Sequence, residues 1–258
     1  MSYVSKIEWT QSTWNPVTGC HKVSAACKNC YAERFANRFR GVKGHPYEGG
    51  FSVRLWPSRL MLPLNWRKPR AVFVNSMSDL FLAEVPFVFI DKVFCTIQKA
   101  YWHNFQILTK RPKRMIRWAN RWLQMMGSLP TNVWFGVSVE DSHCKHRIDY
   151  LRLLPSPNRF VSFEPLISSV DLDDSSLTDI HWVIVGGETG PRARPMAPEW
   201  VDHIFRACGK NSIPFFFKHW GEFDSNGSRV GRARSGSRFR SSEWKEIPSN
   251  KQIAQDVV

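Results

Sequence analysis

Residues 71–110, AVFVNSMSDLFLAEVPFVFIDKVFCTIQKAYWHNFQILTK, contain a strand, a helix and a second strand in succession. The runs at 71–75 (AVFVN) and 105–109 (FQILT) are short, rich in β-branched or aromatic residues and almost continuously apolar. Strands buried on both faces have this composition, and they belong to parallel sheets. Between the runs, Phe87, Ile90, Phe94, Ile97 and Tyr101 recur at helical spacing. The stretch therefore predicts a βα unit with a crossover helix.

The same pattern continues toward the C-terminus. Strands are expected at 133–139 (VWFGVSV), 159–163 (RFVSF), 182–186 (WVIVG) and 214–218 (PFFFK). Met115, Trp118, Trp122 and Met125 mark a second helical stripe, and residues 142–154 and 198–210, the latter opened by Pro198, two further helices. The Ser/Asp-rich link 164–181 leaves room only for a short helix or loop. With a short extended segment within residues 7–19 (IEW, then STW) included, the count is roughly six to seven parallel strands, which predicts an α/β fold built as a partial or irregular (β/α) barrel. An open doubly wound sheet is the alternative. One barrel domain is expected over 1–223, followed by a flexible basic Ser/Gly/Arg-rich segment and C-terminal tail, 224–258, with Arg229, Arg232, Arg234, Arg238 and Arg240.

Upstream, residues 14–34 read WNPVTGCHKVSAACKNCYAER and place Cys20, Cys27 and Cys30 in a C-x6-C-x2-C array. The Asn15-Pro16 step breaks regular structure before the array. After it, Tyr31, Phe35 and Phe39 fall at helical spacing with Arg34 and Arg38 on a neighbouring face, so the third cysteine is expected at a helix start. Residues 41–70, rich in Gly, Pro and Arg, form an excursion from the scaffold. Three clustered thiolates are soft ligands that suit zinc or an iron–sulfur centre. His21 is a possible fourth ligand of a Cys3His zinc site; a three-cysteine cluster is the other reading, and it leaves one iron without a protein ligand. Cys95, Cys144 and Cys208 are scattered and are expected as small buried hydrophobes.

A net charge of +14 favours a phosphate-bearing partner such as nucleic acid. Arg114, Arg117 and Arg121 share one helical face and form a candidate surface for it, with Arg54, Arg59, Arg67, Lys68 and Arg70 in the excursion. No signal-peptide order is seen, and Leu80–Ile90 is interrupted by Glu84 and Pro86 and too short to span a bilayer. The expectation is a cytoplasmic protein with no membrane partner and with free or metal-bound cysteines.

Barrels and open sheets carry their chemistry beyond the C-terminal ends of the strands. There the sequence places Asn75, Ser76 and Asp79; Lys110 and Arg111; Ser138 and Glu140; Glu164; Gly186, Gly187 and Glu188; and Lys218 and His219. Taken singly, each reads as a helix cap or turn residue. Together they suit a zwitterionic or phosphorylated ligand, with the glycines admitting its flat part close to the backbone.

WNPVTGC, the cysteine array followed by Tyr-Ala-Glu, NSMSDLF, LTKRP, VSFEPL, IVGGETGPRAR and FFFKHWG together resemble the phage-associated three-cysteine-motif family, which is related to radical S-adenosylmethionine (SAM) and spore photoproduct lyase-like proteins. The resemblance spans about residues 7–222. It implies a [4Fe–4S] cluster on Cys20, Cys27 and Cys30, SAM as cofactor, an electron donor, and a 5′-deoxyadenosyl radical acting on nucleic acid or a nucleotide. By position, Asn75, Ser76 and Asp79 are assigned to the methionine end of SAM, Ser138 and Glu140 to its ribose, and Gly186, Gly187 and Glu188 to SAM or substrate. Lys110, Arg111, Glu164, Lys218 and His219 are assigned to substrate, and a partner protein is a further possibility. Two features depart from the superfamily: the first cysteine gap is six residues where three is usual, and the Gly-Gly-Glu element lies late in the chain. A non-catalytic nucleic-acid-binding protein with a structural zinc or iron–sulfur site is the competing reading.

Overall fold

Seven strands lie in one sheet of the computed structural model, which describes residues 5–248. They are β1 (Ser12–Trp14), β2 (Ala71–Val74), β3 (Asn104–Thr109), β4 (Val133–Ser138), β5 (Arg159–Phe163), β6 (Trp182–Gly186) and β7 (Phe215–His219). Their order in the sheet is their order in the chain. A doubly wound sheet needs a point where strand order reverses, and this sheet has none. The fold is thus a partial α/β barrel with parallel strands, as the sequence predicts. The helices are α1 (Tyr31–Asn37), α2 (Phe87–Lys99), α3 (Pro112–Met126), α4 (His146–Arg152) and α5 (Pro198–Lys210). Among the described residues, no helix is long and apolar enough to cross a membrane.

The chain divides into two compact units, Met1–Gly136 and Val137–Val258, with the boundary inside β4. In the first, β1 pairs in parallel with β2, and β2 with β3. α3 begins with Pro112 and ends at Gly127, whose φ of 77° is the left-handed geometry of a helix C-terminus. Met115, Trp118 and Trp122 are buried as expected, with the Trp118 ring 3.9 Å from that of Phe94; Met125 is exposed. The predicted α2 stripe holds at Ile90, Phe94 and Ile97, whereas Tyr101 lies past the helix end and is exposed.

The structure shows which face of α1 is buried and corrects two expectations about side-chain placement. α1 buries Ala32 and Ala36 and turns Tyr31 and Phe35 outward, because methyl groups let the helix approach its neighbours more closely than rings do. Cys95 is exposed on α2, while Cys144 and Cys208 are buried. Two cations of the α3 face are used within the unit: Arg114 donates to the carbonyls of Leu82, Ala83 and Val85, and Arg121 pairs with Asp91 at 2.7 Å. With two of its three arginines engaged, that face has less charge to offer a polyanion.

In the second unit β5, β6 and β7 pair in parallel, with an irregularity between Val185 and Gly186. The segment after 223 is not the flexible tail its composition predicts. Its Phe239 is buried and its ring lies 5.5 Å from Phe205 and 5.9 Å from Phe217, while the Phe217 N–H donates to the Trp244 carbonyl. Two apolar anchors hold a Ser/Arg-rich segment that composition alone leaves unpinned. Residues 249–258 of the expected tail lie outside the described residues.

Candidate metal centre and strand-end clusters

The cysteine loop is closed by Gly19, at φ +81°, where a Cβ would lie 2.1 Å from the Ser52 carbonyl oxygen. Glycine is required there by both conformation and space. The Gly19 N–H donates to the Met77 carbonyl at 3.0 Å, and Ser78 Oγ donates to the Gly19 carbonyl at 2.6 Å. Asn15 Oδ1 accepts from Ser76 Oγ and the Met77 N–H, and the Tyr31 hydroxyl donates to the Ser76 carbonyl. Residues 75–79, beyond β2, thereby clamp both ends of the cysteine loop. Sequence reading gave no role in closing the loop to Asn15, Gly19 or Ser78, although Ser78 stands among the polar residues after the strand and Asn15 in the Asn-Pro break.

Cys20, Cys27 and Cys30 are free and partly exposed. Cys27 lies in a 3₁₀ turn, Ala25–Asn29, and Cys30 caps the start of α1, as expected. Burial pushes the Cys20 thiol up to about 11; the Asp79 carboxylate adds to the shift and the Arg111 guanidinium opposes it. Burial also raises Cys30, against backbone N–H donors from Glu33 and Ala32. Both are protonated thiols at neutral pH, so metal loading releases protons.

Asp79 and Arg111 form the brace behind Cys20. Asp79 Oδ1 accepts from the Phe81 N–H at 2.9 Å and from Thr109 Oγ1 at 2.8 Å, and Oδ2 accepts from the Lys110 N–H at 3.1 Å. Arg111 Nη1 lies 2.9 Å from Asp79 Oδ2 and 3.8 Å from Cys20 Sγ, while Nη2 donates to the His21 carbonyl at 2.8 Å. Asn75, at φ +61°, accepts the Val17 N–H on Oδ1; its Nδ2 is buried with no partner among the described residues.

The donor set bears on both metal readings. His21 Nε2 lies 2.6 Å from Glu84 Oε1, so the fourth ligand proposed for a Cys3His zinc site is engaged elsewhere. Among the described residues, no three His, Cys, Asp or Glu side chains are grouped around one ion position. A closed zinc site needs all its ligands about 2 Å from one point. A cluster would take each thiolate on a different iron, and the three thiols lie on one loop.

The second unit holds its own polar cluster. Glu140, fully buried, has Oε2 2.8 Å from Arg147 Nη1, and the same nitrogen donates to the Ser138 carbonyl at 2.7 Å. Glu188, also buried, accepts from the backbone and side chain of Arg194. Lys218 pairs with Glu164 beside Gly186, where a Cβ would meet the Glu164 side chain at 3.3 Å. At Gly187 a Cβ would lie 2.0 Å from the Trp220 carbonyl oxygen, so this glycine serves the packing of the chain's own backbone. Burial holds His219 neutral, helped by the nearby charges of Lys218 and Arg232. His219 Nδ1 and Ser162 Oγ are buried without a partner among the described residues. Of the predicted site residues, the first unit thus gathers Cys20, Cys27, Cys30, Asn75, Ser76, Asp79, Lys110 and Arg111. The second contains Ser138, Glu140, Glu164, Gly186, Gly187, Glu188, Lys218 and His219. The buried partner Arg147 and the half-buried Arg194 were missed, since a cation six or seven residues from a carboxylate carries no recognisable motif.

A family profile described as "Protein of unknown function (DUF5131)" matches residues 4–248. The chain belongs to the DUF5131 family. No curated protein matches this DUF5131 member. Among solved structures it is similar to a cysteine-to-serine mutant of spore photoproduct lyase, with TM-score 0.42 and 12% identity over 72% of this chain and 58% of that one. A second is spore photoproduct lyase complexed with dinucleoside spore photoproduct, with TM-score 0.42 and 11% identity over 80% and 63%. A third, a double mutant of the same enzyme with bound AdoMet and the dinucleoside, has TM-score 0.38 and 11% identity over 69% and 56%. The DUF5131 chain thus covers less than two thirds of the length of each.

Proposed function

We propose that this protein is an iron–sulfur, radical SAM-type enzyme that acts on nucleic acid or a nucleotide, in repair or modification. The observation that carries the reading is the loop of three free, partly exposed thiols, Cys20, Cys27 and Cys30, closed by Gly19 and braced by Arg111. These cysteines would hold a [4Fe–4S] cluster and would leave one iron without a protein ligand, open to SAM. When bound and reduced, the cluster supplies the electron that splits SAM into methionine and a 5′-deoxyadenosyl radical.

The chain's own residues bind, orient and shield. Asn75 Nδ2, a buried donor with no partner among the described residues, suits the methionine carboxylate, with Ser76 beside it. Both Asp79 oxygens are engaged, so Asp79 acts by holding Arg111 and the loop after β3. Glu140 is likewise held by Arg147, and with Ser138 it supports a ribose subsite from behind. Within the second unit, Gly186, Gly187 and Glu188 are assigned to the cofactor and Glu164, Lys218 and neutral His219 to substrate; in the first unit, Lys110 is assigned to substrate. The net charge of +14 supports a phosphate-bearing substrate. An external electron donor completes the system, and six free cysteines suit a reducing cytoplasm.

Anaerobic reconstitution with iron and sulfide is expected to give a brown protein that dithionite bleaches and that releases 5′-deoxyadenosine and methionine from SAM, measured by chromatography. A colourless protein carrying one zinc, or a cluster that leaves SAM uncleaved, sinks the reading; the zinc outcome favours the non-catalytic binding protein. Arg111→Gln removes a cationic N–H donor 3.8 Å from Cys20 Sγ. Hydrogen bonds to cluster sulfurs raise the reduction potential. The variant is therefore expected to have a lower midpoint potential and to lose iron several-fold faster, with Arg111→Lys intermediate. An unchanged potential in spectroelectrochemical titration removes Arg111 from that role.

A further inference from the structure

Of the eleven exposed large apolar side chains among the described residues, Val23, Tyr31, Phe35, Val42 and Met61 fall between residues 23 and 61. At their centre is a closed group of four rings. Phe35 lies 5.2 Å from Phe39, Phe39 stacks on His45 at 4.0 Å, His45 lies 5.7 Å from Tyr47, and Tyr47 returns to Phe35 at 5.8 Å. Phe35 is 43% exposed although it sits in a helix with an available buried face. Tyr31 precedes it by one turn, is 50% exposed, and follows Cys30 directly, so the aromatic row runs outward from the cysteine loop.

The charge around the rings is predominantly positive. Residues 31–48 contain Arg34, Arg38, Arg40 and Lys43 against two carboxylates: Glu33, which pairs with Lys22 at 3.0 Å, and Glu48, whose Oε2 accepts the Gly44 N–H at 3.0 Å. Arg38, Arg40 and Lys43 are exposed. Close by in sequence, Arg54 and Arg59 stack on the Trp56 ring at 3.9 and 4.1 Å. Exposed rings offer π-faces to bases, and guanidinium groups match phosphate geometry. An acidic protein would meet the charge equally well, but the exposed rings of Tyr31 and Phe35, backed by the half-buried Phe39, His45 and Tyr47, favour a base-bearing ligand.

We propose that the face formed by α1 and residues 39–47 binds single-stranded nucleic acid, with Phe35 stacking on a base and Arg38, Arg40 and Lys43 on the backbone phosphates. The inference deepens the proposed function by locating its substrate, and it rests on that reading only for the choice of nucleic acid as ligand.

The test is fluorescence anisotropy with a labelled oligothymidylate of about twelve nucleotides, at low and moderate salt, on the full-length protein. Phe35→Ala is expected to weaken binding roughly five- to hundredfold. The double variant Arg38→Gln/Arg40→Gln is expected to flatten the log–log salt slope by about 1.4. Melting temperatures close to the parent's show that the variants fold; Phe35, Arg38 and Arg40 are exposed, with Arg40 also donating to Asn37 Oδ1 at 3.2 Å. The proposal is overturned if the parent does not bind the oligonucleotide, or if both variants bind it as the parent does. It is also overturned if the variants lose only reduction by an acidic electron-donor protein. Cleavage of SAM without substrate is read in parallel and is expected to survive in both variants; its absence from the parent counts against the enzyme reading and leaves the binding result standing.

Discussion

Cys27→Ala is expected to abolish the iron–sulfur chromophore and, with it, 5′-deoxyadenosine formation, while leaving the apo-protein's melting temperature within a few degrees of the parent's. The asymmetry follows from where the side chain sits. Cys27 is partly exposed in a short 3₁₀ turn, with Sγ 3.7 Å from Ser24 Oγ as its polar contact. Its truncation opens no core cavity, so the large cost seen when buried side chains are deleted does not apply. Electrostatically it lies within reach of both other cysteines, since its charge contributes to the raised pKa of Cys20 and of Cys30. Cys95→Ala, on the exposed side of α2, is the matched control and should keep the chromophore. Iron content and visible absorption after anaerobic reconstitution decide the matter: a Cys27→Ala protein as brown and as active as its parent removes the cluster assignment.

Glu140→Ala is expected to cost about 3–5 kcal/mol of stability, because it strands a buried guanidinium. The two side chains are 0% and 6% exposed, and Oε2 and Nη1 are 2.8 Å apart. Arg147 would keep its bond to the Ser138 carbonyl but not a counter-charge. For a chain of this size such a loss lowers the melting temperature by roughly 6–20 °C. Glu140→Gln keeps an acceptor at the same position and should recover much of the difference. Because the pair is buried, the effect should change little with added salt. A near-parental melting curve for Glu140→Ala would mean that water reaches Arg147. The two variants also separate support from contact: loss of SAM affinity in Glu140→Gln with the melting temperature held would indicate that Glu140 meets the ribose.

The strand ends could be read from sequence because apolar runs of four to six residues are too short for helices and too continuous for half-exposed strands. Arg159–Phe163 and Trp182–Gly186 coincide with their predicted runs, and α5 with its predicted helix. The internal partners of the polar residues could not be read this way. Asp79 and Arg111, 32 residues apart, become one unit only when β2 and β3 lie side by side. Trp220 makes Gly187 a packing glycine, which no spacing rule foretells.

By itself, then, the sequence determined the βα alternation, the cysteine array at the start of a helix, and the basic character of the whole. These are local or additive properties, set by hydrophobic period and by counting charges. The tertiary structure alone decided which way amphipathic elements face and which charges are already taken. It turned Tyr31 and Phe35 outward by burying Ala32 and Ala36, consumed Arg114 and Arg121 internally, and anchored the Arg-rich segment through Phe239. Facing and pairing depend on neighbours distant in the chain, and periodicity fixes a side chain's angle around a helix but not what stands opposite it.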